Sequence, residues 1–181
     1  NLIRDTRVAY SDDCVNWTTP EPIVYKDGRD IQMYANAITQ YERSDGLYIG
    51  MPTHFVLDSK GDKWTDVYFM SSRDRLNWNR SSGPILAPAE GQMYVYPDCG
   101  YPTAGMIQTS EREISFFMDE YDSSKKCDVL TRYTVRTDGF MAVTGSKLTT
   151  KPLIKEGNSL ELNFDGQVKV TMTDASGNSV T

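Results

Sequence analysis

The sequence places two adjacent carboxylates, Asp119 and Glu120, at the end of a segment that is otherwise mostly apolar. Residues 114–118 read Ile-Ser-Phe-Phe-Met, a composition typical of a β-strand. Because side chains alternate across a strand, Glu120 is expected on the face that carries Ile114 and Phe116. Burial on that face would favour the protonated carboxyl, as a general acid requires. Glu120 is therefore predicted as a catalytic acid; the alternative is a strand-end acid that turns into solvent.

Two further acids and several polar or aromatic residues complete the predicted site. Asp66 opens an apolar strand after a polar loop, and Asp98 lies among tyrosines; each is interpreted as the second catalytic carboxylate or as a turn-forming aspartate. Asn36 interrupts an apolar run, where it would bind a ligand hydroxyl or tie neighbouring strands together. His54 is interpreted as a substrate contact or a loop residue. The predicted substrate-binding residues are Tyr34, Asn36, His54, Tyr101 and Tyr121.

A repeated seven-residue motif indicates the elements that must position these residues. Residues 11–17 and 72–78 both read Ser-x-Asp-x-x-Asn-Trp, and both lead to a Pro-Ile pair. Asp13 and Asp74 are 61 residues apart (74 − 13), a spacing that suits one large propeller blade. The aspartate can hold a tight turn by accepting backbone hydrogen bonds, and the tryptophan can cover it. A worn third copy follows at Asp138.

Strand patterns and an almost complete lack of helical periodicity predict an all-β chain. Hairpins are expected around Asp45-Gly46 and around Ser110-Glu111, and one full unit over residues 33–88. Residues 1–145 are predicted to form two to three four-stranded blades of a partial β-propeller, and residues 146–181 the start of a β-sandwich. Five blades would need roughly 300 residues, so the chain is expected to be a processed or partial one.

Composition excludes several classes of function. The net charge of −6 disfavours a general nucleic-acid binder, and no apolar run is long enough to span a membrane. One histidine and no Cys-x-x-Cys pair predict that there is no zinc site, and we expect no metal and no cofactor. Cys14, Cys99 and Cys127 allow one disulfide with a free thiol, or three reduced thiols. Asn16 and Asn79 match the glycosylation pattern.

Several stretches of the sequence resemble secreted five-bladed β-propellers of the glycoside-hydrolase type, described as sialidase-like or as similar to the N-terminal domain of invertases and levanases. The resemblance extends from about Val8 to Val180, and the stretches that carry it are Tyr34–Ile38, Gly50–Pro52, Asp66–Asp74, Arg132–Phe140 and Leu148–Leu153. It implies an extracytoplasmic protein with a carbohydrate partner, hydrolysed by a pair of carboxylates. It also implies that the missing half of the propeller, or another chain, is a partner.

The sequence departs from that family in two respects. It lacks the first blades, where these hydrolases usually carry the nucleophile, and the turn glycines are replaced by Cys14 or Val15 and by Arg75 or Leu76. Three hypotheses therefore compete: a glycoside hydrolase, a non-catalytic propeller that binds glycans or proteins, and a structural portion of a larger assembly. Convergence of Asp66, Asp98 and Glu120 in one cleft would favour the enzyme.

Overall fold

The chain is built from short β-strands, and a computed structural model describes residues 4–87, 100–122, 124–154 and 157–180. Within these ranges there is no helix, and so none that could cross a membrane. The strands are β1 Arg7–Val8, β2 Glu21–Pro22, β3 Val24–Tyr25, β4 Thr39–Gln40, β5 Tyr48–Gly50, β6 Thr53–Leu57, β7 Lys63–Val67, β8 Met70–Ser72, β9 Asn77–Arg80, β10 Tyr101–Pro102, β11 Ile107–Ser110, β12 Glu113–Asp122 and β13 Cys127–Arg136. The all-β prediction is confirmed.

The described strands form four sheets, none of them closed. The largest has the order β3-β9-β8-β5-β4, in which only the β3–β9 pair is parallel. Strands β6 and β7 pair with each other, as do β1 and β2. Strand β12 pairs with β10 and β11 along one edge and with β13 along the other. All these pairs other than β3–β9 are antiparallel, as expected for a chain of hairpins.

Two long hairpins dominate the fold. Strands β5 and β6 run antiparallel to β8 and β7, and the register is unbroken from Tyr48↔Ser72 to Leu57↔Lys63. Pro52 lies between the two pairs, where its carbonyl accepts a hydrogen bond from Tyr68 N at 3.0 Å. Because proline lacks an N–H group, the ladder is interrupted there without losing register. The second hairpin, β12–β13, pairs ten residues with ten.

The core joins these hairpins through buried apolar side chains. Met51 and Val67 of the first hairpin region pack with Phe116 and Met118 of the second. At 25 cal/mol per Å² of apolar surface, each such side chain contributes roughly 1.5–3 kcal/mol. This packing fixes the position of β12 against β6 and β7, the three strands that carry Glu120, His54 and Asp66.

Both predicted hairpin turns are confirmed. The first connects β4 to β5, where Tyr41 N donates to Leu47 O at 2.8 Å and Gly46 adopts a positive φ of 61°. The second connects β11 to β12, with a register shift between Gln108 and Ser110. Asp-Gly turns favour positive φ because glycine has no Cβ to clash with the backbone.

Residues 138–180 form a separate unit with far less regular structure. The strands predicted at 160–164 and 168–172 are not formed, and the one backbone bridge among the described residues pairs Thr173 with Ser179. Leu160 is 61% exposed and Phe164 54% exposed, so the alternating apolar side chains have no cover. A two-stranded sheet is marginal in water without a third strand or an apolar partner. The boundary lies at 137/138 instead of 145/146, and the β-sandwich assignment stays a prediction.

Candidate functional site

Glu120 lies on the core-facing side of β12, as the alternation predicts. It is half-buried, whereas its neighbour Asp119 is exposed. The hydroxyl of Tyr133 on β13 donates to Glu120 Oε1 at 2.7 Å, and the Tyr133 ring stacks on Phe116 with centroids 5.5 Å apart. A Cβ on Gly100 would lie 3.5 Å from Glu120 Cγ, so the absence of a side chain there leaves space for the glutamate. The carboxylate is therefore held by packing and by a phenolic donor.

His54 and Asp66 face each other across the β6–β7 pair and form a direct contact. Their side chains are 14% and 12% exposed, and Nδ1 of His54 lies 2.9 Å from Oδ1 of Asp66. The edge of the His54 ring meets the Tyr68 ring with centroids 5.4 Å apart. A histidine and a carboxylate at this distance share one proton readily, because His is the side chain that titrates nearest neutral pH. We call these two residues the His54–Asp66 pair.

The structure engages the two described carboxylates separately. Asp66 and Val67 are consecutive in β7 and point to opposite faces, and Val67 is the one that packs against Phe116 and Met118. Asp66 is bound by His54, while Glu120 is bound by Tyr133. The third predicted carboxylate, Asp98, lies outside the described residues. A single cleft containing all three residues therefore stays a prediction.

The predicted aromatic contacts come together in part. Tyr34 and Tyr101, distant in sequence, approach with ring centroids 5.9 Å apart at an interplanar angle of 55°. Tyr34 is 49% exposed, and the Arg4 guanidinium lies 5.2 Å from its ring centroid on another side. Tyr121 is half-buried in β12. Exposed tyrosine rings supported in this way are suited to stacking on an apolar face of a ligand.

Asn36 has a local partner. Its Oδ1 accepts a hydrogen bond from Ile38 N at 3.3 Å, which spans the irregular Ala37 with its φ of 42°. This contact shows Asn36 in the turn-holding role common to asparagine, and its second predicted role as a ligand contact stays a prediction.

Sequence reasoning missed a network of ion pairs centred on Asp27. Its carboxylate binds Arg80 Nε at 2.9 Å and Arg80 Nη2 at 2.7 Å, and also Arg29 Nε at 2.9 Å. The Arg80 side chain is fully buried and lies over the Tyr25 ring, 4.2 Å from its centroid. Hydrogen bonds from Arg80 hold the pKa of the Asp27 carboxyl far below its usual range. No motif signals this network, because its acid and its buried base are 53 residues apart.

The two motif turns have matching hydrogen bonds. Asp13 Oδ1 accepts from Asn16 N at 2.7 Å, and Asp74 Oδ1 accepts from Asn77 N at 2.7 Å. The neighbouring backbone N–H groups and the asparagine side chains donate to the same carboxylates. These bonds, led by the asparagine N–H, hold the pKa values of Asp13 and Asp74 well below the ordinary range. The predicted equivalence of the turns is confirmed in this local geometry.

The residue at positive φ in each turn identifies the position where glycine would be expected. Cys14 has φ 60° and Arg75 has φ 66°, so these residues, and not Val15 or Leu76, occupy the left-handed position. Cys14 and Cys127 are free and exposed, and Cys99 lies outside the described residues. Within the described ranges no group of three or more His, Cys, Asp or Glu side chains is arranged to hold a metal.

Comparisons with protein-family models, with curated proteins and with solved structures gave no match.

Proposed function

We propose that residues 6–136 are successive blades of a partial β-propeller that acts on a polysaccharide or glycoconjugate outside the cytoplasm. The repeat supports this architecture beyond the motif turns themselves. Ile23 N donates to Thr6 O at 3.1 Å, and Ile85 N donates to Val67 O at 2.7 Å. Thr6 and Val67 are 61 residues apart (67 − 6), as are the two motif aspartates. Equivalent backbone bonds at equal spacing are expected of repeated units.

The observation that carries the proposed chemistry is the half-buried Glu120 held by Tyr133. A hydrogen bond donated to a carboxylate stabilises its ionised form. In the proposed reaction Glu120 therefore serves as the base or nucleophile, in contrast to the acid role that the sequence predicts for it. The His54–Asp66 pair supplies the proton to the leaving oxygen, while water adds to the sugar carbon as the glycosidic bond breaks.

A second candidate function is glycan binding without hydrolysis. The contact between Tyr34 and Tyr101 favours it, because the half-exposed Tyr34 ring can stack on a sugar whether or not the carboxylates converge. This function needs Tyr34 but not Glu120, so the two proposals make different predictions for the same set of variants.

Hydrolysis of chromogenic glycosides and of natural polysaccharides by the protein tests the first proposal. Glu120→Gln should lower kcat by about 10²- to 10⁴-fold with little change in folding. The matched control is Asp119→Asn, which alters the exposed neighbour on the same strand and should leave kcat unchanged. Tyr133→Phe removes the donor to Glu120, so the acid limb of the pH–rate profile should move to higher pH.

Full activity in Glu120→Gln would reject the catalytic assignment. A wild-type protein that hydrolyses none of these glycans but binds one of them, with the binding lost in Tyr34→Ala, would support the second candidate instead. Neither hydrolysis nor binding would reject both proposals.

A further inference from the structure

The tryptophan of the second motif turn is covered by a strand from the preceding part of the chain. Strand β3 runs parallel to β9, with Val24 N donating to Leu76 O at 2.8 Å and Lys26 N donating to Trp78 O at 3.0 Å. Ile23 packs with Trp78, which is only 1% exposed. The covering segment thus combines an aliphatic residue on the indole with two parallel backbone hydrogen bonds.

The first motif turn presents the same edge without a cover. The positions equivalent to Leu76 and Trp78 are Val15 and Trp17, each 61 residues earlier, and their side chains are 79% and 59% exposed. None of the described residues donates a hydrogen bond to the carbonyl oxygen of Val15 or of Trp17. An unpaired strand edge beside an exposed indole is a template for the addition of another strand.

The charge around the first turn differs from that around the second. Asp12 and Glu21 are exposed beside Trp17, and the residues 61 positions later are Arg73 and Ser82. The first turn therefore carries two more acidic side chains than the second, where the covering segment ends in Lys26. Opposite charges across an interface increase the association rate and the specificity.

We propose that the edge formed by Val15, Asn16 and Trp17 docks an extended peptide segment that runs parallel to it and has an aliphatic–aliphatic–aromatic–basic sequence. The segment donates backbone N–H groups to Val15 O and Trp17 O, places its first aliphatic residue on the Trp17 ring and its basic residue near Asp12 and Glu21. The occupant is thus a strand of the same type as residues 23–26, contributed by another repeat unit. This inference does not depend on the proposed hydrolysis.

A capped peptide with the sequence of residues 22–26 (Pro-Ile-Val-Tyr-Lys) is the probe, added to the ¹⁵N-labelled protein up to millimolar concentration. The indole N–H resonance of Trp17 and the amide resonances around it should shift in a saturable way, while the Trp78 indole resonance stays in place. Trp17→Ala should weaken binding by at least about tenfold, because a central aromatic contact dominates small interfaces. This variant should fold normally, since Trp17 is largely exposed.

Two controls separate docking at this edge from non-specific association. A peptide with serine in place of the isoleucine and tyrosine should not bind, and Asp12→Asn combined with Glu21→Gln should weaken binding of the original peptide by several-fold at low salt. No shift of Trp17 resonances would overturn the proposal. A shift confined to Trp78 would also overturn it, because the peptide would then be replacing β3 at the second turn.

Discussion

The turns that end at Trp17 and at Trp78 contain the same five fixed residue types and make the same hydrogen bonds, yet their tryptophans are in opposite environments. Trp17 is 59% exposed, whereas Trp78 is 1% exposed under β3 and against Met70. In both turns the indole N–H donates to the backbone carbonyl three residues earlier. The comparison shows that the motif determines the turn locally and that coverage by another strand determines how much the tryptophan stabilises the fold.

Replacing each tryptophan with alanine tests this difference most strongly. Trp78→Ala removes a buried side chain and leaves a cavity, so the free energy of unfolding should fall by about 3–5 kcal/mol. Trp17→Ala acts on an exposed side chain and should change it by less than about 0.5 kcal/mol. Urea denaturation of both variants measures the difference. Equal losses would mean that the turns, and not the cover over Trp78, account for the stabilisation.

The ion-pair network sharpens the comparison, because only the second turn has it. Arg80 lies two residues after Trp78, and the equivalent residue after Trp17 is Thr19. Asp27→Ala should lower the free energy of unfolding by about 3 kcal/mol, since it leaves the buried Arg80 guanidinium without its carboxylate. Asp5→Ala, at an ion pair whose side chains are 57% and 39% exposed, is the matched control and should cost about 0–1 kcal/mol. Similar losses in both variants would contradict the importance of burial.

Acid titration should reveal what the two turns share. Hydrogen bonds in the folded state lower the pKa values of Asp13 and Asp74, with the N–H of Asn16 or Asn77 as the largest cause. Their stabilising contribution is therefore complete above the ordinary aspartate pKa of about 3.9, and it is lost as the pH falls toward the lower folded values. NMR of the carboxyl carbons should show both residues still ionised at a pH where exposed aspartates are protonated. A depressed value at Asp74 alone would show that the cover, and not the turn, is the cause.

The smallest expected effect concerns the left-handed residue of each turn. Cys14→Gly should raise the free energy of unfolding by roughly 0.5 kcal/mol, because the relief of positive-φ strain slightly exceeds the entropic cost of glycine. Arg75→Gly should give no gain, since the guanidinium lies 5.0 Å from the Tyr10 ring centroid and 5.4 Å from that of Tyr48. Thermal denaturation of the two variants distinguishes them. A gain at Arg75 as large as that at Cys14 would mean that these ring contacts contribute nothing.

The sequence alone predicted those features that depend on neighbouring residues. The Asp-turn motifs, the Asp45-Gly46 hairpin and the inward direction of Glu120 follow from short-range hydrogen bonding and from strand alternation. The same local reasoning was wrong about strands at residues 160–164 and 168–172, because alternation indicates a strand only where another surface covers its apolar face.

Tertiary structure alone decided which distant residues meet. The pairing of His54 with Asp66, the hydroxyl of Tyr133 on Glu120 and the contact of Arg80 with Asp27 depend on the hairpin register and on sheet packing, which no local pattern specifies. The same holds for the two tryptophans, which are identical in motif and local bonding. Burial of Trp78 requires a strand that is 53 residues away in sequence, because a side chain leaves water only when another part of the chain takes the place of that water.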